Sequence, residues 1–422
     1  MVCLWLRFSW SLPVRLVPAL LACASLPAAA QTLPVDLSFT GDVRIAGADG
    51  ERAWTDGGFG KTRFGGDRDG DFRIRPRLTE GELIWQPRFG WSTKAVIAVA
   101  AQDGQQHAVD LVEAFVAVKP MQSADTRISG RVGLFWPPVS LEHEGAAWQV
   151  ADMITPSAIN SWIGEEVKVV GAEGTISRTF GEHRLSATLG LFGFNDTSGT
   201  LLSFRGWAMH DFKTTAFGRE KLPTLPETME YAQAAYTRPT AEIDNRPGFY
   251  AKLAWQPPAP VSLEAFYYDN RGDPQAVTSN LLWGWRTRFV DIGARAQLGP
   301  ATTLTAQALT GTTRMGPDEG QGIWIDTRFR SAFLRLSHKF GPTTFSTRFD
   351  LFGTDESGSE MEGESGESGW AATGAGSWQM FDHARLLVEL LHVDSRREGR
   401  LRDALDPRQS QTIVQTALRL SL

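Results

Sequence analysis

From Val35 to Ile45 the chain alternates: Val35, Leu37, Phe39, Val43 and Ile45 fall on one side of an extended backbone, and Asp36, Ser38, Thr40, Asp42 and Arg44 on the other. A period of two marks a strand with one face for an apolar medium and one for water. Segments of this kind, about 10 to 14 residues long, recur roughly sixteen times along the chain. The last, 411–422, keeps the pattern, with Val414, Leu418, Leu420 and Leu422 opposite Gln415, Ala417, Arg419 and Ser421, so it can close against the first.

The connections alternate in length. Short turns fall at 86–90, 120–124, 181–182, 257–260, 299–301, 341–342 and 381–383, most of them with Gly or Pro. Longer connections fall near 47–70, 103–107, 136–164, 195–246, 271–283, 313–320, 354–368 and 396–410. Short and long connections in strict alternation join an even number of antiparallel strands, and a bilayer accepts a sheet only when it closes. The expected fold is all-β: a 16-stranded antiparallel transmembrane β-barrel, apolar outside and polar within. Reading Thr200 to Ala208 and Glu230 to Tyr236 as strands gives eighteen instead, but then needs a long connection through Lys213 to Pro226 on the short-turn side.

Residues 1–30 carry Arg7 and Arg15, an apolar run from Leu16 to Leu26, and Ala28 to Ala30, which is the order of a cleaved secretory signal. The mature chain is then 31–422, one outer-membrane barrel domain. Both cysteines, Cys3 and Cys23, lie in that signal, which excludes disulfides and cysteine-ligated metals. The chain carries a net charge of −6, more negative once the signal's arginines are removed, so nucleic acid is not an expected partner. Trp85, Trp91, Trp255, Tyr267, Tyr268, Trp283, Trp285, Trp370 and Trp378 fall near strand ends, where aromatic rings sit at lipid headgroups.

In Phe72 to Leu78 the residues Arg73, Arg75 and Arg77 share one face, a ladder that lipid cannot solvate and that must face water. Arg127 and Arg131, Arg286 and Arg288, Arg328 and Arg330, and Arg348 are further inward candidates, with Glu113 among the opposing acids. Together they would line a pore and favour small polar or anionic solutes. Two loops are long enough to fold inward and constrict it. Loop 136–164 offers Glu142, His143, Glu144 and Trp148; loop 195–246 offers Arg205, Trp207, His210 and Lys213. The Glu-rich, Gly-rich stretch 355–369 reads as a solvated surface loop whose carboxylates could bridge divalent cations of lipopolysaccharide. No metal cluster and no cofactor motif stands out.

Val112, Glu113, Ala114, Phe115 and Val116, followed after a turn by Arg131 to Phe135 and then Trp136, Pro137, Pro138 and Val139 to Glu142, resemble the phosphate-selective porins of the O and P type. The resemblance is close over about 40 residues and looser over the barrel layout. It implies a Gram-negative outer-membrane diffusion channel, often a homotrimer, serving passive ion and solute transport. The family's lysine cluster has no counterpart here, so phosphate selectivity is not implied. An enzyme is not expected: His392, Asp394 and Ser395 are close in sequence, but a strand puts His392 and Ser395 on opposite faces. The rival reading is a closed barrel acting as adhesin or scaffold.

Overall fold

The computed structural model describes residues 36–422 apart from 68–69, 124, 147, 319, 321 and 362–365. The signal assigned to 1–30 lies outside the described residues, as do Glu362 and Glu364 of the acidic loop. Among the described residues no helix is long and apolar enough to cross a membrane, so any crossing is made by strands.

Sixteen strands form the wall: β1 (Leu37–Ala48), β2 (Arg73–Trp85), β3 (Thr93–Gln102), β4 (Asp110–Gln122), β5 (Thr126–Phe135), β6 (Val169–Phe180), β7 (His183–Gly193), β8 (Gly248–Gln256), β9 (Val261–Asp269), β10 (Arg286–Gly299), β11 (Thr302–Asp318), β12 (Ile323–Phe340), β13 (Thr343–Glu356), β14 (Gly366–Phe381), β15 (Ala384–Arg397) and β16 (Arg408–Ser421). Each pairs antiparallel with the next. The circle closes where β16 meets β1, from Thr40 opposite Ser421 to Ala48 opposite Ile413. Closure leaves no unpaired edge, as a bilayer requires. The eighteen-strand alternative falls: Thr200–Phe204 is a helical turn, and of the other candidate only its last residue, Tyr236, is paired, in the two-residue strand Tyr236–Thr237 against Glu220–Lys221.

The alternation sets the faces. In β1, Leu37, Phe39, Val43 and Ile45 are exposed on the outer wall, while Asp42 and Arg44 are buried within and joined by an ion pair of 2.7 Å. Exposed aromatics ring the short-turn end: Trp85, Phe89, Trp91, Phe180, Trp255, Phe340, Trp378 and Phe381. Trp283 and Trp285 do not belong to that belt. Both are buried with Leu201, Phe204 and Met315 in a cluster under the long loops, because their segment folds over the barrel mouth. Tyr268 likewise points inward, stacked 4.9 Å from Phe289.

Candidate functional site: the filled lumen

The connection from β5 to β6 enters the barrel. After Pro137 and Pro138 it runs through a short hairpin, His143–Glu144 with Gln149–Val150, and returns as the helix α1 (Ala158–Glu166), all of whose residues are buried. Ser157 caps α1, its hydroxyl accepting from the Asn160 amide. Carboxylates from elsewhere complete the N-terminal end: Glu142 accepts from Ser157 N at 2.8 Å and Asp350 of β13 from Ala158 N at 3.1 Å. Negative charge there is favoured by the helix dipole.

The wall grips this loop at many points. Arg348 donates to the carbonyls of Thr155 at 2.7 Å and Pro156 at 3.0 Å, and its charge is balanced by Asp350 and Glu142. Glu389 of β15 accepts the amides of Ile154 and Thr155. Gln307 of β11 donates to Val139 O and accepts from Asn160 Nδ2. Lys252, Arg295 and Arg419 take the carbonyls of Pro138, Leu141 and Val150, and Gln149 donates to Glu82.

The connection from β7 to β8 lies over the first and locks to it. Arg205 clasps Glu165 with two bonds of 2.7 Å, and His210 Nε2 meets the same carboxylate at 3.1 Å. Burial alone would raise Glu165, but the Arg205 guanidinium above all, with the His210 ring bonded beside it, holds it down at about 2. Its neighbour Glu166 makes no ion pair among the described residues; burial pushes it up to about 7, while Trp162 Nε1 and Leu201 N donate to it. Lys213 sits between Glu80 and Glu82 of β2, with its backbone bonded to Gln102 of β3. Trp207 donates from its indole to Gly353 O and from its backbone to Glu367. All four residues expected on this loop, Arg205, Trp207, His210 and Lys213, are therefore buried in the lumen.

Of the first loop's candidates, Glu142 is buried among Arg335, Arg348, Ser157 and Asn160. His143 lies flat on Trp148 at 4.2 Å, and Trp148 on Trp136 at 5.0 Å. Glu144 pairs through its backbone with Gln149. The sequence reading missed a third inserted segment, 59–64. Lys61 donates to Trp207 O and pairs with Glu367, and Arg63 pairs with Asp211, which also holds Arg44. Its signal was present: Lys61, Thr62 and Arg63 stand between Phe59 and Phe64 in an otherwise glycine-rich loop.

Arg73, Arg75 and Arg77 lie on the inner face at the long-loop end, where Arg73 and Arg75 line a pocket of ≈ 670 Å³ with Asp56 and Asp67, and Arg77 pairs with Asp103. Arg131 faces inward and binds Glu173 through two bonds of 3.0 Å; Arg127 is exposed near the short turn. Glu113 is buried on the inner face, where its charge acts on the buried Lys168. A second polar pocket, ≈ 520 Å³, opens at the short-turn end between Asp152, Lys339, Thr344 and Arg385.

Four of the expected lining residues are misplaced by the sequence reading. Arg286, Arg288, Arg328 and Arg330 are exposed on the outer wall, because Thr287, Phe289, Thr327 and Phe329 take the inner positions. Asp196, Glu242 and Asp244, not grouped by sequence, lie together in the second loop, and their oxygens accept backbone amides from 194, 243, 245, 246 and 273. His392 faces outward against Trp370 while Ser395 is buried on the inner face.

No family model matches the chain, and no curated protein matches it. Solved structures do. The outer membrane channel DcaP of Acinetobacter baumannii superposes with a TM-score of 0.55 at 11% identity, covering 92% of this chain and 97% of that one. An anion-selective porin from Comamonas acidovorans gives 0.52 at 12% identity, and a loop-deletion form of OmpT, an outer membrane protein of Vibrio cholerae, 0.51 at 9%; each covers 92% of this chain and 99% of the other. At these identities the likeness establishes the fold: a 16-stranded barrel of the kind found in outer-membrane porins and channels.

Proposed function

We propose that the protein is an outer-membrane porin, a passive diffusion channel for small hydrophilic solutes with a preference for anions. The observation that carries this reading is the loop leaving β5: it lies across the interior of a closed barrel, held by hydrogen bonds and ion pairs, with a charged pocket at each end of the interior. The structural neighbours, among them a channel and an anion-selective porin, support the same class. No chemical step is involved; width, field and hydrogen bonding decide what passes.

The anion preference rests on Arg73 and Arg75 at the long-loop mouth and on Lys339 and Arg385 at the other. The finer assignment to the phosphate-selective O and P type rests on the motif around Glu113 and Phe135. So does the expectation of a homotrimer. The signal at 1–30 is part of the same reading, since export must precede insertion from the far side.

A second reading, a closed barrel serving as adhesin or scaffold, is favoured by the extent of the packing. The two inserted loops bond to β1 to β5 and to β8 to β16. Single-channel recording of the purified protein under a salt gradient separates the two. Stable steps with an anion-selective reversal potential support the porin. Silence from folded protein, persisting after the loop's wall anchors are removed, supports the scaffold.

A further inference from the structure

The pocket at the long-loop mouth carries both signs of charge on one cavity. Arg52, Arg73 and Arg75 line it together with Glu51, Asp56, Asp67 and Asp403. The two sets do not close on each other. Glu51 pairs with Arg400, Asp403 accepts from Thr224 and Asp67 from the Asp71 amide, all partners outside the lining. Arg73, Arg75 and Asp56 make no side-chain hydrogen bond or ion pair among the described residues.

Two atoms of the lining sharpen this. Arg75 Nε and Glu51 Oε2 are both buried, and neither has a hydrogen-bond partner. A buried donor or acceptor left unmet is costly, the more so in a charged group. A bare anion meets the arginines and leaves the acids as they are. A guest that brings an acceptor and a donor together meets both.

Size and rigidity agree with such a guest. The cavity, ≈ 670 Å³, falls in the roughly 300–1,000 Å³ range of small-molecule sites, and Ala53, Phe59 and Leu405 add apolar surface to its lining. A Cβ on Gly58 would lie 2.2 Å from Arg52 O, and one on Gly65 2.1 Å from Glu51 O, so segments 50–52 and 58–66 lie backbone against backbone and only glycine permits the approach. Walls held in this way have little freedom left to lose on binding.

Resting on the diffusion-channel reading and narrowing its solute, we infer that this pocket is an entry site for short zwitterionic peptides, with the carboxylate on Arg73 and Arg75, the ammonium group on Asp56 and Glu51, and side chains against the apolar lining. Guanidinium forks take carboxylate oxygens through charge-assisted bonds, and an ammonium group donates to carboxylates in the same way.

The test is calorimetric titration of the folded full chain in detergent with trialanine, N-acetyl-trialanine and trialanine amide. Wild type binds trialanine, and blocking either end weakens binding at least about tenfold, as loss of one charge-assisted contact requires. Arg73→Gln with Arg75→Gln binds trialanine and its amide equally weakly, while Asp56→Asn weakens trialanine and leaves the N-acetylated form unchanged. Should the double variant lack the electrophoretic shift of a folded barrel, Asp56→Asn, at an exposed loop position, decides. Absence of trialanine binding, or equal binding of the three peptides, overturns the site. Inorganic phosphate binding as tightly as trialanine marks a simple anion site and overturns the peptide assignment. The titration needs no open pore, so failure of the diffusion-channel reading shows in conductance and not here.

Discussion

Arg348 and Asp350, two positions apart on the inner face of β13, grip one stretch of the inserted loop from opposite chemical sides. The guanidinium takes the carbonyls of Thr155 and Pro156, and the carboxylate takes the amide of Ala158, where α1 begins. The pair is also bonded to itself at 2.7 Å.

Replacing Arg348 with Met should therefore leave Asp350 buried without its cation and Glu142 with Arg335 alone. Breaking a buried pair in this way costs about 3–5 kcal/mol. A lowered apparent Tm, with the barrel still formed by circular dichroism, is the expected outcome; an unchanged Tm would mean the loop is not held at this point.

Glu389→Ala removes the shared acceptor of two loop amides, at about 1–3 kcal/mol for each buried donor left unpaired. The loop should loosen where it meets β15, and single-channel traces should show more frequent or larger openings than wild type. Identical traces would separate the loop from any control of conductance.

Acidity should tighten the contact between the two inserted loops. Glu166 is raised to about 7 from 4.5 by burial, beside Glu165 and Arg205 and within the field of other buried carboxylates. The folded state thus binds more protons than the unfolded one between these values; this contribution is complete below about pH 4.5 and is lost as pH rises through about 7. Glu165, held low at about 2, contributes above its unfolded value and is lost only in much stronger acid. Glu166→Gln should flatten the dependence of Tm between pH 5 and 8 and add about 2–3 kcal/mol at the alkaline end. An unflattened profile would assign the dependence to another group.

Charge reversal should discriminate the two arginine sets. Arg73→Glu with Arg75→Glu, on the inner face, should shift the reversal potential toward cations. Arg286→Glu with Arg288→Glu, on the outer wall, should leave it unchanged. If both pairs act alike, selectivity is not set at the long-loop mouth.

Strand order, register and closure were legible because each strand repeats the same two-faced constraint. Which face an arginine took was not always read correctly. In β10, Arg286 and Arg288 share parity with Val290 and Ile292, so the outward assignment was available; a strand longer than the hydrocarbon it crosses carries polar residues on its outer face as well. The lumen packing was not legible. Contacts such as Arg348 with Pro156 or Lys61 with Trp207 join segments far apart in the chain, and alternation within a strand carries no information about them.

The grip of β15 and β16 on the loop also fixes an order of events. Ile154 and Thr155 are held by Glu389, and Val150 by Arg419, whose strand is the one that seals the wall against β1. The loop cannot reach its final seat before that last hairpin is in place. The loop's contacts with β15 and β16 are therefore completed only together with, or after, the closure of the wall.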